Sequence, residues 1–433
     1  MKAEGMREKP KAKSQRPKVK AAAAVVLLLT GLALGQNMVL IPMDLTQTDH
    51  LKAYGVAYRL LQRGGRVEWL LNYRGGSFLF APDAQAVNDC RLNGVSYQAA
   101  SPADVVTIRS TIDANNMESV VLERATRLAV YAPPTADPWD DAVRLTLDYA
   151  GIKYDLVWDD DVLAGRLKDY DWVHLHHEDF TGQFGKFYAG YRQEKWYQDE
   201  VAISLRSAAK HGYKKVSRLK LAIVEQIRQY VADGGMLFAM CSATDTPDIA
   251  WAARNTDICA PVFDGDPIDP NYAAKLDFDG CFAFENFTLV TDPMVYEHSN
   301  IDTYLEATAR GQDVYISLFD FSAKYDPVPT MLVQDHTGLV KEFLGQNCGF
   351  RRTVLKKDVL VMGEVVNSEE VKYIHGNFGK GTFTFLGGHD PEDYAHRIGD
   401  KPTEPALHKN SPGYRLILNN VLFPAAEKKQ LKT

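Results

Sequence analysis

Cysteine is scarce in this chain, and no cysteine motif is present. Five cysteines (Cys90, Cys241, Cys259, Cys281 and Cys348) are spread over 433 residues, with no Cys-x-x-Cys pair. That excludes a zinc finger and a disulfide-built scaffold. The odd count leaves at least one thiol unpaired within a single chain, and Cys241 is the candidate. Cys259 and Cys281 flank one loop-rich stretch and are the pair for which a bridge is expected if one forms. Beyond residue 34 no apolar run is long enough to cross a bilayer. Basic clusters are also absent outside the first twenty residues, and the net charge is −7, which argues against a nucleic-acid partner. There is no internal repeat and no low-complexity tract.

The extreme N-terminus carries a different message. Lysines and arginines between Lys2 and Lys20 precede the apolar run Ala21–Leu34, and the small residues Ala33 and Gly35 stand just before Gln36. This is the order of a secretory signal, so residues 1–35 are expected to direct export and the mature protein to be periplasmic or secreted. If left uncleaved, the same segment would be the route to membrane attachment. With 45% hydrophobic residues the remainder is able to bury a large core.

The mature chain reads as alternating strands and helices. Residues 36–125 open with a strand at Met38–Pro42, a helix at Thr46–Leu61 and a strand at Val67–Leu71, an N-terminal β-α-β extension. Arg74, beside Gly75 and Gly76 at that strand's end, is a candidate for a binding loop. Residues 126–425 hold a longer run with strands at Leu128–Tyr131, Asp155–Val157, Tyr170–Leu175, Met236–Met240, Val359–Val365 and Thr382–Leu386. Between them fall helices at Pro138–Ala150, Leu219–Val231, Pro247–Ala253 and Gly413–Leu422. Residues from about 255 to 330 are rich in Pro, Asp and Gly with weak periodicity, an irregular insertion with strand pieces at Phe287–Val290 and Val314–Phe319. The expected fold is α/β, a mostly parallel, flavodoxin-like sheet with helices on both faces.

In such folds ligands sit at the carboxyl ends of the strands. Three polar clusters fall there: HLHHED (His174–Asp179), CSATD (Cys241–Asp245) and GGHDPED (Gly387–Asp393). Cys241 ends a buried strand and precedes a helix start marked by Thr244, Asp245 and Pro247. A thiol at such a bend faces the positive end of a helix, where a thiolate and an oxyanion are favoured. His389 would serve as acid and base, Asp390 or Glu392 would orient it, and the N–H groups from Ser242 onward would hold the oxyanion. His176, Glu178, Ser242 and Arg74 are the candidate substrate contacts. No cofactor is required by this scheme. An alternative assigns His174, His176 and His177 to a metal ion, with His389 or Asp390 completing the shell.

The strand, elbow and helix around Cys241, with the late GKGTFTFLGGHDPED, resemble the class I glutamine amidotransferase-like superfamily and its trehalose-utilisation-type relatives. That resemblance implies Cys241 as nucleophile, His389 as base and Glu392 as third member of a triad acting on an amide or acyl bond of a small-molecule, peptide or glycan substrate. The family elbow is Gly-x-Cys-x-Gly, whereas Ala239 and Ala243 stand at the glycine positions here. Segments such as MVLIPMDLTQTDHLKAYG and HLHHEDFTGQFGKFY are also similar to bacterial proteins called asparagine synthetase B. The chain has neither the N-terminal catalytic cysteine nor the Ser-Gly-Gly-x-Asp-Ser loop of true asparagine synthetases. A non-catalytic binding or assembly protein on the same fold is the reading from another class.

Overall fold

The computed structural model describes residues 37–397 and 399–427; the expected signal segment lies outside the described residues. Two sheets organise them, and the chain passes from one to the other between Leu122 and Leu128.

The first sheet holds β1 (Met38–Ile41), β2 (Val67–Leu71), β3 (Ser77–Phe80), β4 (Gln98–Ala100) and β5 (Glu118–Leu122), in the order β4-β1-β3-β2-β5. Helix α1 (His50–Gln62) joins β1 to β2, and Asp49 caps it by accepting from the Lys52 N–H. The β-α-β reading is therefore right in outline, with one change. β3 lies between β1 and β2 and runs antiparallel to both, so the unit is a split one. α2 (Ala84–Asn93) and α3 (Pro102–Ala114) complete this part, the latter entered through a Ser101–Asp104 capping box.

The second sheet is mixed. β6 (Leu128–Tyr131), β7 (Asp155–Val157), β8 (Trp172–Leu175), β9 (Met236–Met240) and the later β15 pair in parallel in the order β7-β6-β8-β9-β15. Beyond them β10 (Tyr315–Leu318), β11 (Leu339–Lys341), β12 (Phe350–Arg351), β13 (Leu360–Val365) and β14 (Glu370–Phe378) form an antiparallel wing, joined to β15 (Gly381–Leu386) across β14. The parallel part, counted in chain order, is 2-1-3-4-5, the doubly wound flavodoxin-like arrangement. The expected strand at Phe287–Val290 is absent; Leu289 makes a single bridge to Ser299. Polar turns and prolines leave that segment too few consecutive residues to extend a ladder.

Every residue of β9 is buried, and alternation sends its faces to different cores. Met236, Phe238 and Met240 join the core packed by α4 (Ala142–Ala150) and the C-terminal helix. Leu237 and Ala239 join the core under α6 (Val216–Ala232), where Leu219, Ile223, Ile227 and Val231 recur at helical spacing. α5 (Lys195–Lys210) and α7 (Thr246–Ala252) pack against α6, and α8 (Pro412–Leu422) is the last helix, with Ser411 capping the Tyr414 N–H.

α8 also ties the two sheets together. Arg415 is fully buried, and its guanidinium donates to the carbonyls of Met43 (3.0 Å) and Gly75 (2.6 Å), with Asp335 3.6 Å away. Asn419 accepts from Tyr54 of α1 and donates to Leu332 and Gln334. All five cysteines are buried and free. The Cys259–Cys281 bridge is therefore corrected: Cys259 Sγ faces the Thr181 carbonyl and Cys281 Sγ the Asp248 carbonyl, in separate places.

Candidate functional site

At the parallel sheet's carboxyl rim, β6 and β8 part company: one connection leads outward to β7, the other onward to β9. This reversal opens the crevice that doubly wound sheets use for ligands. The loop after β6 brings in Asp140 and Asp141; Asp141 caps α4 by accepting from Val143 and Arg144. The end of β8 brings in His174, His176 and His177. The loop after β15 brings in His389 and, further on, His396.

These side chains meet. The His389 ring lies edge-on to His176, centroids 4.3 Å apart, stacks on His396 at 3.6 Å and approaches His177 at 5.8 Å. His396 Nε2 is 3.0 Å from Asp140 Oδ1, and His389 Nε2 is 3.9 Å from the same oxygen. Asp141 Oδ1 is 3.6 Å from both His174 Nε2 and His176 Nδ1. His176, His177 and His389 each offer one nitrogen within 4.8 Å of the others. Asp140, His389 and His396 form a second such group, and Asp141, His174 and His176 a third.

Burial and charge set their protonation. Burial pushes His176 and His389 well below the ordinary histidine range, and neighbouring imidazoles push the same way on both. Burial would also lower His177, but Asp140 and Glu178 outweigh it and raise it. His396 is raised as well, its burial overcome by the bond to Asp140. For Asp140 burial is opposed by His177 and His396, which bring the carboxyl down to about 2. The cluster thus sets His177 and His396, favoured in the charged form beside Asp140, next to His176 and His389, favoured neutral.

The Cys241 elbow is built as expected in the backbone. Cys241 has φ +49°, a left-handed conformation that few non-glycine residues adopt, and its N–H donates to the Gly388 carbonyl (3.0 Å). This bond sets the residue beside the one preceding His389. Gly388 is required there: its φ is +96°, and a Cβ would meet the Phe343 ring at 2.4 Å. The sulfur accepts from the Gln346 N–H at 3.2 Å. Burial pushes the thiol up to about 12, and the backbone N–H groups around it do not offset that.

Among the described residues no hydrogen bond joins this sulfur to His389. The proposed orienting acids are engaged elsewhere. Glu392 pairs with His408 Nδ1 at 2.7 Å, and Asp390 accepts from the Tyr414 hydroxyl (2.7 Å) and the Glu392 N–H. Asp390 fastens the His389 loop to α8, and Glu392 fastens it to the segment just before that helix. Glu178 is buried and accepts from the His176 N–H, with burial raising its carboxyl. The Ser242 hydroxyl donates to the His177 carbonyl at 2.9 Å, tying the elbow to the histidine loop. Arg74 stands apart on the first sheet, bonded to Asp44, Thr46 and Gln98.

Asp140, Asp141 and His396 belong to the cluster but stand outside the predicted set. The two aspartates read as helix-start acids, and His396 lies three residues beyond the end of the motif. The rule that ligands gather at strand ends would have picked out the loop after β6, since it opens at the same rim.

No protein-family model and no curated protein matches this sequence. Among solved structures the chain is similar to a cytoplasmic protein, STM3548, from Salmonella typhimurium, at 12% identity and TM-score 0.33, covering 70% of this chain and all of that one. A second Salmonella typhimurium LT2 cytoplasmic protein, STM1381, is similar at 11% identity and TM-score 0.35, covering 69% and 99%. A ThuA-like protein from Bacteroides uniformis is similar at 12% identity and TM-score 0.28, covering 67% and 91%. Likeness of that degree carries no argument about the site; the α/β assignment stands on the strand order and register.

Proposed function

We propose that this chain is a hydrolase acting on an acyl or amide bond of a small molecule in the β6/β8 crevice, with the imidazole cluster rather than the thiol as its reactive centre. In that reaction the oxygen of water bonds to the acyl carbon, the bond to the nitrogen or oxygen leaving group breaks, and the leaving group takes up a proton. The observation that carries the reading is the convergence of His176, His177 and His389, from two loops of the rim, on one place beside Asp140. Neutral and protonated imidazoles side by side supply both a base for the attacking water and an acid for the departing group. The basic-then-apolar N-terminus supports an exported protein.

A cysteine nucleophile is the second reading, favoured by the positive φ at Cys241 and the N–H groups facing its sulfur. The two are separated by assaying chromogenic esters and anilides with His389→Ala, His176→Ala and Cys241→Ser proteins. The histidine variants are expected to lose at least 100-fold in kcat/KM and Cys241→Ser less than about threefold. Loss confined to Cys241→Ser would overturn the proposal in favour of the thiol.

A further inference from the structure

The hydrogen-bond chain behind His176 determines which of its nitrogens is free. His174 Nδ1 lies 3.1 Å from the Phe238 carbonyl, which only accepts, so the proton on that ring is on Nδ1. His174 Nε2 lies 3.2 Å from His176 Nδ1, and Asp141 Oδ1 is 3.6 Å from both nitrogens, so acceptors face the inner nitrogen of His176 and favour its proton there. The His176 proton is thereby placed on Nδ1, and its Nε2 is left with a bare lone pair. These protons are assigned from the network. His176 Nε2 is buried and has no hydrogen-bond partner, and the same is true of His389 Nε2 and His177 Nδ1.

Unpartnered ring nitrogens in a dry site are costly, by roughly 1–3 kcal/mol each. One such nitrogen sits on each of three rings that meet in a single cluster. All three are explained by a shared occupant that accepts lone pairs. Tetrahedral zinc with nitrogen bonds of about 2.1 Å places its ligands about 3.4 Å apart. The separation of the three rings' ligand atoms, at most 4.8 Å, needs only small rotations to reach this.

We infer that His176, His177 and His389 bind one divalent cation of the zinc class, with Asp140 and Asp141 as the carboxylates that orient and balance it. Imidazole donors without thiolate select zinc, nickel, cobalt or copper over magnesium or calcium. Asp141 and His174 stand behind His176 in the way that carboxylate or carbonyl partners stand behind metal-bound histidines. Asp140 beside His177, His389 and His396 supplies negative charge where the cation would add positive. Three protein ligands leave a coordination position for solvent or substrate, the pattern of catalytic rather than structural zinc. This deepens the hydrolase reading above and revises it: a bound cation would occupy the ring nitrogens, leaving the water to be activated on the ion and proton transfer to His396 beside Asp140. The inference rests on its own geometry and stands if no hydrolysis is found.

The test is metal analysis of the full chain, produced without a histidine tag. It is stripped with chelator, incubated with zinc or cobalt(II), passed through gel filtration and measured by mass spectrometry. About one equivalent is expected for the parent protein, and the cobalt form is expected to show visible d–d absorption. His176→Ala and His389→Ala should each fall below about 0.1 equivalent. His298→Ala, altering a histidine outside the cluster, should keep the full equivalent. Circular dichroism identifies any variant that has not folded, and for that case His177→Gln and Asp141→Asn provide the second reading, with a 10- to 100-fold weaker affinity expected of the latter. Less than 0.1 equivalent in the parent protein, or one equivalent undiminished in the folded histidine variants, would overturn the site. A full equivalent of metal with no hydrolysis in any assay would leave the site standing and remove the proposed reaction.

Discussion

His389 lies flat against His396, their planes 23° from parallel and their centroids 3.6 Å apart, while only His396 holds a hydrogen bond to Asp140. Two imidazolium rings do not stack well, so the pair divides its labour. His396 takes the proton that Asp140 stabilises, and burial together with its neighbours keeps His389 neutral. In chelator-treated protein Asp140→Asn should therefore lower the His396 pKa by about one unit, since an opposite charge at hydrogen-bond distance is worth that much or more. Histidine proton shifts followed by NMR read this directly. An unmoved His396 resonance would mean that Asp140 is not its partner in solution.

His375, on β14, is buried with its Nδ1 2.8 Å from the Thr384 hydroxyl, and burial lowers its pKa from 6.5 to about 4. A depressed histidine stabilises the fold at pH values above the unfolded pKa, and that contribution is lost as pH falls from about 6.5 toward 4. The loss at pH 4.5 relative to pH 7 is about 2–3 kcal/mol from this group. His375→Gln should remove that portion of the acid sensitivity, measured as the difference in urea-unfolding free energy between the two pH values. His50, lowered to about 4 by its own burial, acts in the same direction and remains in the variant.

The five thiols are buried, and Cys241 is held protonated at neutral pH. Iodoacetamide at pH 7.5 should label Cys241 in the native chain no faster than the other cysteines, and all five should react once urea unfolds it. Selective, rapid alkylation of Cys241 in the folded state would restore the thiolate account of this site.

Lys220 of α6 is a second buried charge with a defined partner. It donates to Asp159 at 3.0 Å and to the Tyr131 hydroxyl, while Ser207 also donates to Asp159. Removing one member leaves the other uncompensated, so Lys220→Met should destabilise by about 3–5 kcal/mol. The double replacement with Asp159→Leu is expected to recover part of this. Denaturant midpoints of the double variant and of each single variant decide it, and losses that simply add would mean that the pair is not coupled.

Met236–Met240, a parallel strand covered on both faces, reads as a continuous apolar run ended by turn residues, and Val67–Leu71, antiparallel in the first sheet, is marked by Gly64 and Gly65 before it and Asn72 after it. The C-terminal helix with Ser411 and Pro412 at its start was legible for a similar local reason. The splitting of the β1–β2 unit by β3 was not, since strand order depends on pairings between distant segments. The wing from β10 to β14 was hidden in the same way.

The sequence by itself determined the longer strands and helices, though not the short β4, β11 and β12, and that His174–Asp179, Cys241–Asp245 and Gly387–Asp393 would end at one rim, because periodicity and strand polarity are local properties of the chain. Tertiary structure alone decided which side chains face each other there. It turned His389 toward His176, His177 and Asp140 instead of bonding it to the Cys241 sulfur, and it gave Glu392 to His408. Side-chain direction at a strand end is set by the loops packed against it, and those loops come from elements more than a hundred residues apart.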